Sequence, residues 1–126
     1  MAQVDLHLHT TCSDGRLTPT QLVELLAERG LRVVAITDHD STEGLAQALE
    51  TAKRFPQLAV IPGVELSTDI PGNEIHVLGY FIRYSDAGFQ QTLREFRDGR
   101  VDRAREMVSK LAALGLPVEW ERVLEL

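Results

Sequence analysis

Hydrophobic and polar residues alternate with a period of two near the start of the chain, over residues 3–8. This pattern predicts a first strand with one apolar face. Thr18 and Pro19 then predict the cap and the first turn of a helix, which we expect to end at Gly30. A β-branched run over residues 32–37 predicts a second, buried strand. The first third of the chain is therefore expected to fold as strand, helix, strand.

Further helices are predicted after these strands. Residues 41–43 have the side chains of a helix cap, and apolar positions recur at helical spacing from there to about Arg54. A much longer helical pattern runs over residues 86–114 and ends at Gly115. Residues 120–126 predict the start of another helix.

A pair of strands is predicted between the second helix and the long one. Residues 58–66 and 74–83 have the apolar patterns of strands that pair as a hairpin, with a turn at residues 71–73. Pro62 and Gly63 are expected to interrupt the first of them. Alternating strands and helices favour an α/β fold with a parallel sheet, barrel-like or open, and a site at the carboxyl ends of its strands. Four strands are too few to close a barrel.

Composition and charge narrow the class of protein. The chain has 126 residues, of which 44% are hydrophobic and 25% charged, as in a soluble globular protein of one domain. No apolar run approaches the roughly 20 residues of a membrane span, and the amino terminus has no signal-peptide pattern, so we expect a cytoplasmic protein without a membrane partner. The net charge of −6 argues against a protein that coats nucleic acids non-specifically. Cys12 is the only cysteine, so a metal site would have to use His, Asp and Glu.

Candidate metal ligands gather where the predicted strands end. His7 and His9 are two residues apart on a strand and therefore project from the same face. Asp14 follows in a loop in which Gly15 allows a sharp turn back toward the strand. A structural role for the histidine pair stays open from these residues alone. Residues 38–40, Asp-His-Asp, repeat the same chemistry at the end of the second strand and favour a metal site.

Glu65 and His76 extend this candidate set to the hairpin. A carboxylate in an apolar strand is costly if it is buried without a partner, and a cation is a suitable partner. The alternatives are that Glu65 faces water on an edge strand and that His76 is a core residue, but we expect the two to lie opposite each other. Oxygen and imidazole ligands without thiolates suit Mn, Fe or Zn, and two ions sharing a bridging carboxylate would generate a hydroxide nucleophile.

Four ordered motifs resemble the polymerase and histidinol phosphatase (PHP) superfamily. They are D-L-H-L-H-T-T-C-S-D-G from residue 5, I-T-D-H-D from residue 36, P-G-V-E-L-S from residue 62 and E-I-H-V-L-G-Y from residue 74. The residues of these motifs resemble those of the branch that contains nucleoside 3',5'-bisphosphate phosphatases and small-RNA 5'-to-3' exoribonucleases. The resemblance implies a distorted (β/α)7, TIM-like barrel. Residues 1–84 would be the amino-terminal part of its metal-binding domain, and residues 85–126 the start of an inserted helical subdomain.

The resemblance also implies an activity. It is that of a metal-dependent phosphoesterase acting on phosphate monoesters of nucleotides or short oligonucleotides, with two or three ions, manganese first and iron or zinc as alternatives. The nucleophile would be a metal-bound hydroxide, and no side chain is assigned that role. Asp38 is expected to orient an imidazole, and Asp40 to cap the following helix. The implied metal ligands are His7, His9, Asp14, His39, Glu65 and His76.

Arg100 and Arg103 interrupt the apolar stripe of the long helix. Because a guanidinium is a common partner of phosphate, both are candidates for binding a substrate phosphate away from the metals. An alternative apolar seam through Val101, Ala104 and Val108 would leave the two arginines on a solvated face.

Members of this family continue with a further histidine and a late D-x-H motif, which this sequence does not contain. We therefore expect a truncated chain, whose exposed apolar surface could drive self-association. Besides the nucleotide or short-RNA phosphoesterase, two hypotheses stay open. One is a non-catalytic fragment or accessory metal-binding module, and the other is a histidinol-phosphate phosphatase or a polymerase-associated nuclease.

Overall fold

A computed structural model describes residues 3–70 and 73–125 of the chain. Its elements are, in order, β1 (Val4–Leu8), α1 (Pro19–Glu28), β2 (Val33–Ile36), α2 (Leu45–Ala52), β3 (Ala59–Ile70), β4 (Asn73–Tyr80), α3 (Ala87–Ala113) and α4 (Trp120–Leu124). The predicted order of strands and helices is confirmed. The first two residues of the predicted turn at 71–73 lie outside the described residues. The chain divides into two compact units, residues 1–90 and 91–126.

The four strands form one mixed sheet in the order β1-β2-β3-β4. β2 pairs in parallel with both β1 and β3, whereas β4 is antiparallel to β3. The sheet is curled, so that the Tyr80 hydroxyl of β4 reaches the opposite edge and donates a 3.0 Å hydrogen bond to the Leu6 carbonyl of β1. One face packs against α1 and α2 around a common apolar core: Leu22, Val23, Leu26, Val34, Ile36, Leu45, Ala48 and Leu58.

β3 changes its pairing partner at Pro62 and Gly63. Residues 59–62 pair with β2, and residues 63–70 pair with β4. The prediction that Pro62 and Gly63 interrupt this strand is wrong, because the chain stays extended while it passes from one neighbour to the other. Gly63 is needed there since a Cβ atom would lie 2.8 Å from Thr37 Cγ2 and 3.0 Å from a carbonyl oxygen of β4.

The two short helices begin differently. Thr18 caps α1 as predicted, in a capping box with Gln21. The predicted cap of α2 at residues 41–43 is wrong, because α2 is capped by Gly44 without a side-chain hydrogen bond. The hydroxyls that suggested a cap are engaged elsewhere: Ser41 accepts from the Glu43 amide, and the Thr42 hydroxyl accepts from the side chain of Gln90.

The long helix α3 ends as predicted. Gly115 has a φ of 79°, and the amides of Gly115 and Leu116 donate to carbonyls of the last helical turn. Within residues 3–70 and 73–125, no helix combines the length and apolarity that a membrane crossing requires.

Candidate metal centre

The polar side chains singled out in the sequence meet at the carboxyl ends of β1 and β2, beside the hairpin. His7 lies in β1 and His9 follows it directly. His39 lies beyond the end of β2 and forms an isolated parallel bridge with Glu65 of β3. Two backbone hydrogen bonds hold this bridge, from the Glu65 amide to the Asp38 carbonyl (3.1 Å) and from the Asp40 amide to the Glu65 carbonyl (2.9 Å).

Glu65 is the centre of the cluster. Its side chain is 3% exposed, yet its carboxylate faces four imidazoles. Oε2 lies 2.7 Å from His7 Nε2, 3.0 Å from His9 Nε2 and 3.8 Å from His39 Nε2, whereas Oε1 lies 2.7 Å from His76 Nδ1. Four rings from three separate parts of the chain thus surround one buried anion.

The position of His76 differs from the expectation. It lies opposite Ser67 in the hairpin, and Glu65 lies opposite Leu78, so the predicted direct pairing is wrong. His76 and Glu65 still meet, because Glu65 and Ser67 are two residues apart on one face and a diagonal contact is within reach of a glutamate side chain.

Asp14 approaches the cluster from the loop after β1. Its Oδ1 lies 3.0 Å from His9 Nδ1, its Oδ2 lies 3.7 Å from His39 Nε2, and its side chain is 69% exposed. The loop folds back tightly, since the Gly15 amide donates to the Thr10 carbonyl at 2.9 Å. A Cβ atom at Gly15 would lie 2.3 Å from the His9 carbonyl oxygen, so only glycine fits this turn.

The donor atoms form three overlapping groups in which every ligand atom lies within 4.8 Å of the others. The groups are His7, His9 and Glu65; His9, Asp14 and His39; and His39, Glu65 and His76. The structure therefore brings all six predicted ligands together. Imidazole and carboxylate donors without thiolate match the preferences of divalent transition metals. The residues fit such ions, and their role as ligands stays a prediction.

The pKa values of the two carboxyl groups in the cluster, Glu65 and Asp14, both lie below their usual values. Burial raises the pKa of Glu65, but the hydrogen bond from His7, the charge of His39 and the hydrogen bond from His76 together outweigh it, so that the pKa lies below its usual value. Burial likewise raises the pKa of Asp14, and the charges of His9 and His39 bring it below its usual value. Both groups are consequently anionic at neutral pH.

Asp38 holds the loop that carries Asp14. Its buried carboxylate accepts hydrogen bonds from the Thr10 amide (2.6 Å), the Ser13 hydroxyl (2.6 Å) and the Thr10 hydroxyl (2.7 Å). The expectation that Asp38 orients an imidazole stays a prediction. A contact with one imidazole runs through Ser13, which donates to Asp38 and whose Oγ lies 3.4 Å from His9 Nδ1.

Asp40 does not cap α2, so that expectation is wrong. Its carboxylate is fully buried, and Oδ1 accepts from the Ser67 amide at 3.0 Å. Ser67 Oγ in turn lies 3.2 Å from His39 Nδ1. The roles of Thr10, Ser13 and Ser67 were not foreseen from the sequence. For Ser67 a signal exists, since strand alternation places it on the same face as Glu65.

Arg100 and Arg103 lie in α3, in the second compact unit. Arg100 is exposed and Arg103 is half-buried. Of the alternative seam, Val101 is exposed, whereas Ala104 and Val108 are half-buried. The role of the arginines in binding phosphate stays a prediction.

Known proteins resemble this chain over most of its length. The PHP domain family matches residues 5–112. A 3',5'-nucleoside bisphosphate phosphatase of Chromobacterium violaceum is 39% identical over 116 residues, which are 92% of this chain and 40% of that protein. The 5'-3' exoribonuclease Rnm of Salmonella typhimurium is 39% identical over 123 residues, 97% of this chain and 42% of that protein.

A solved structure agrees with the sequence matches. A candidate metal-dependent phosphoesterase of Bifidobacterium adolescentis superposes with a TM-score of 0.80 at 32% identity, over 99% of this chain and 43% of the other. The chain thus spans about two fifths of the length of the curated relatives it matches, 40% and 42%.

Proposed function

Because this chain belongs to the PHP domain family, we propose that it forms the metal-binding part of a phosphoesterase acting on phosphate monoesters of nucleotides or short oligonucleotides. The observation that carries the proposal is the cluster of imidazoles and carboxylates around buried Glu65. Divalent ions, when bound, would supply a hydroxide nucleophile near neutral pH and offset the charge of the phosphate. The residues that would hold them are His7, His9, Asp14, His39, Glu65 and His76.

Glu65 is suited to join two ions. Its two carboxylate oxygens face different donors, Oε2 toward His7 and His9 and Oε1 toward His76. With donors on both of its oxygens, Glu65 would be able to help hold two ions. Its burial supports the role, because imidazole donors and cations are the partners that stabilise a carboxylate out of water.

The exposed members of the cluster mark the side from which a substrate would approach. His7 is 51% exposed and Asp14 is 69% exposed, whereas His9 and His39 are largely covered. A phosphate arriving on this side meets a chain of net charge −6, so positive charge has to be supplied locally. We assign that task to the ions, with manganese first, and to Arg100 and Arg103 as candidate phosphate contacts.

Binding and catalysis can be tested separately on the same chain. We expect calorimetric titration to detect Mn²⁺ binding by the wild type and greatly weakened binding by Glu65→Gln. Glu28→Gln, an exposed glutamate at the end of α1, is the matched control and should bind as the wild type does. Wild-type chain that binds no Mn²⁺, Fe²⁺ or Zn²⁺ would refute the proposal.

Activity is measured as phosphate released from a nucleoside 3',5'-bisphosphate in the presence of Mn²⁺, with His9→Ala as the inactive comparison. Undiminished release by His9→Ala would contradict the assigned site. A second function, that of an accessory metal-binding module, is decided by the same two assays. Metal binding without release of phosphate would support the module, and turnover by this chain would refute it.

A further inference from the structure

β3 continues past the end of its neighbour β2. β2 ends at Ile36, and the last residue of β3 that pairs with it is Pro62. A strand edge without a neighbour leaves backbone N–H groups that need other acceptors. At Glu65 the backbone of residues 38–40 supplies the partners. The next N–H on the same edge belongs to Ser67, because alternate residues of a strand point the same way.

At Ser67, the side chain of Asp40 supplies the hydrogen-bond acceptor that a neighbouring strand would otherwise provide. Its own amide donates to the Glu65 carbonyl, and its carboxylate accepts from the Ser67 amide at 3.0 Å, so residue 40 is attached to β3 twice. Its φ of 47° lies in the left-handed region, which is uncommon for residues other than glycine and is tolerated best by Asn and Asp. Such a conformation persists only where surrounding contacts hold it.

Ser67, which is held by Asp40, also contacts His39. Its hydroxyl lies 3.2 Å from His39 Nδ1, on one side of the ring. The other ring nitrogen, Nε2, is the atom that lies 3.7 Å from Asp14 Oδ2 and 3.8 Å from Glu65 Oε2. A hydrogen bond at one nitrogen of a histidine restrains the orientation of the ring and leaves the other nitrogen as the atom offered to a metal.

We propose that Asp40 is a positioning residue, which holds Ser67 so that the Ser67 hydroxyl presents His39 Nε2 to the metal-binding cluster. The proposal rests on the proposed function, because the orientation of His39 matters only at a metal site. The contacts from which it is argued are all between residues of this chain. It differs from a helix cap and from a metal ligand, because Asp40 acts on the site through the backbone of β3.

Three variants separate the parts of this arrangement. Asp40→Asn keeps a carbonyl acceptor and tolerates the left-handed backbone. Asp40→Gly keeps the backbone conformation but has no acceptor for the Ser67 amide. Ser67→Ala keeps the amide and removes only the hydroxyl next to His39. Ser109→Ala removes an exposed hydroxyl from α3 and is the control.

The first measurement is ring-nitrogen NMR of metal-free, histidine-labelled protein, in which the four histidines give a small set of signals to assign. We expect Asp40→Gly and Ser67→Ala to shift the His39 ring-nitrogen signals away from their wild-type positions. Asp40→Asn and Ser109→Ala should retain the wild-type His39 signals. Unchanged His39 signals in Asp40→Gly, or in Ser67→Ala, would overturn the proposal.

The second measurement is Mn²⁺ affinity of the same variants. Loss of a residue that orients a ligand typically weakens metal binding by about 10- to 100-fold, which we expect for Asp40→Gly and Ser67→Ala. Asp40→Asn should bind nearly as the wild type does, and an Asn variant as weak as the Gly variant would overturn the proposal. A wild-type chain without Mn²⁺ binding would refute the proposed function alone, because the NMR comparison still decides the role of Asp40.

Discussion

Replacement of Asp38 by alanine should destabilise the metal-free protein severely. The carboxylate is 2% exposed and accepts three hydrogen bonds, from the Thr10 amide, the Thr10 hydroxyl and the Ser13 hydroxyl, at 2.6 to 2.7 Å. Thr10 itself is fully buried, so its amide cannot turn to water when the acceptor is lost. The variant therefore loses three charge-assisted bonds and leaves at least one buried donor without a partner.

The expected magnitude follows from these contacts. A hydrogen bond to a charged group contributes about 1.5–3 kcal/mol, but the two hydroxyls can rotate toward other acceptors. The amide cannot, and we expect a total loss of roughly 3–5 kcal/mol in the free energy of unfolding. That is a large share of the about 5–15 kcal/mol that stabilises a typical domain. Asp38→Asn keeps an oxygen for the amide and should lose only roughly 1–2 kcal/mol.

Urea unfolding of metal-free protein, followed by circular dichroism, measures both variants against Glu28→Ala, which removes an exposed carboxylate from α1. A loss below about 0.5 kcal/mol for Asp38→Ala, as for an ordinary surface substitution, would refute the reasoning. If the alanine variant does not fold, the asparagine variant decides, because stability equal to the wild type would show that the carboxylate is not needed.

Gly15→Ala should weaken both folding and Mn²⁺ binding, by about 1–3 kcal/mol in unfolding free energy, because its Cβ would lie 2.3 Å from the His9 carbonyl oxygen. Gly99 lies in α3, where an added Cβ would meet no described atom within 4 Å apart from its chain neighbours and its own helix backbone, so Gly99→Ala should instead stabilise by about 0.5–1 kcal/mol. The opposite order of the two variants in thermal unfolding would contradict the turn geometry. Thr18→Ala removes the capping box of α1 and should cost about 1 kcal/mol in urea unfolding; an unchanged midpoint would count against the cap. The stability difference between the wild type and Glu65→Gln should be complete at pH 7 and should shrink as the pH falls from the usual value of 4.5 through the lowered folded pKa, because only the ionised carboxylate stabilises the fold. A difference that grows with acid would show the opposite sign of the shift.

The sequence predicted most of the elements and the membership of the cluster, because both depend on local patterns. Strand alternation placed His7 and His9 on one face, and glycine in the loop correctly indicated the turn that returns Asp14. The supporting contacts depend on residues far apart in the chain. Ser67 and Asp40 are 27 positions apart, and no local pattern predicts that an aspartate substitutes for a strand.

The start of α2 and the continuity of β3 were mispredicted for related reasons. Ser41 and Thr42 have the chemistry of a cap, but the Ser41 hydroxyl accepts locally from the Glu43 amide and the Thr42 hydroxyl accepts from distant Gln90. Pro62 and Gly63 have the chemistry of a break, yet they lie where β3 changes neighbours, a site at which a missing amide and a missing side chain are tolerated. In both cases the sequence correctly indicates residues with unusual backbone or hydrogen-bonding properties. The contacts of the folded chain determine the structural role of those residues.

The change of neighbours in β3 has a consequence for how the protein opens. Beyond Ser67, the described part of the hairpin has ladder partners only within itself, and Ile75 in this part is 43% exposed. A two-stranded ribbon of this kind opens locally at a lower free energy than the core, so its amides should exchange hydrogen fastest among the strands. His76 lies at the base of this ribbon, whereas His7 lies in β1, and His9 and His39 lie in the segments that follow β1 and β2. Fraying of the hairpin would therefore withdraw one imidazole from the cluster while the other three stay in place.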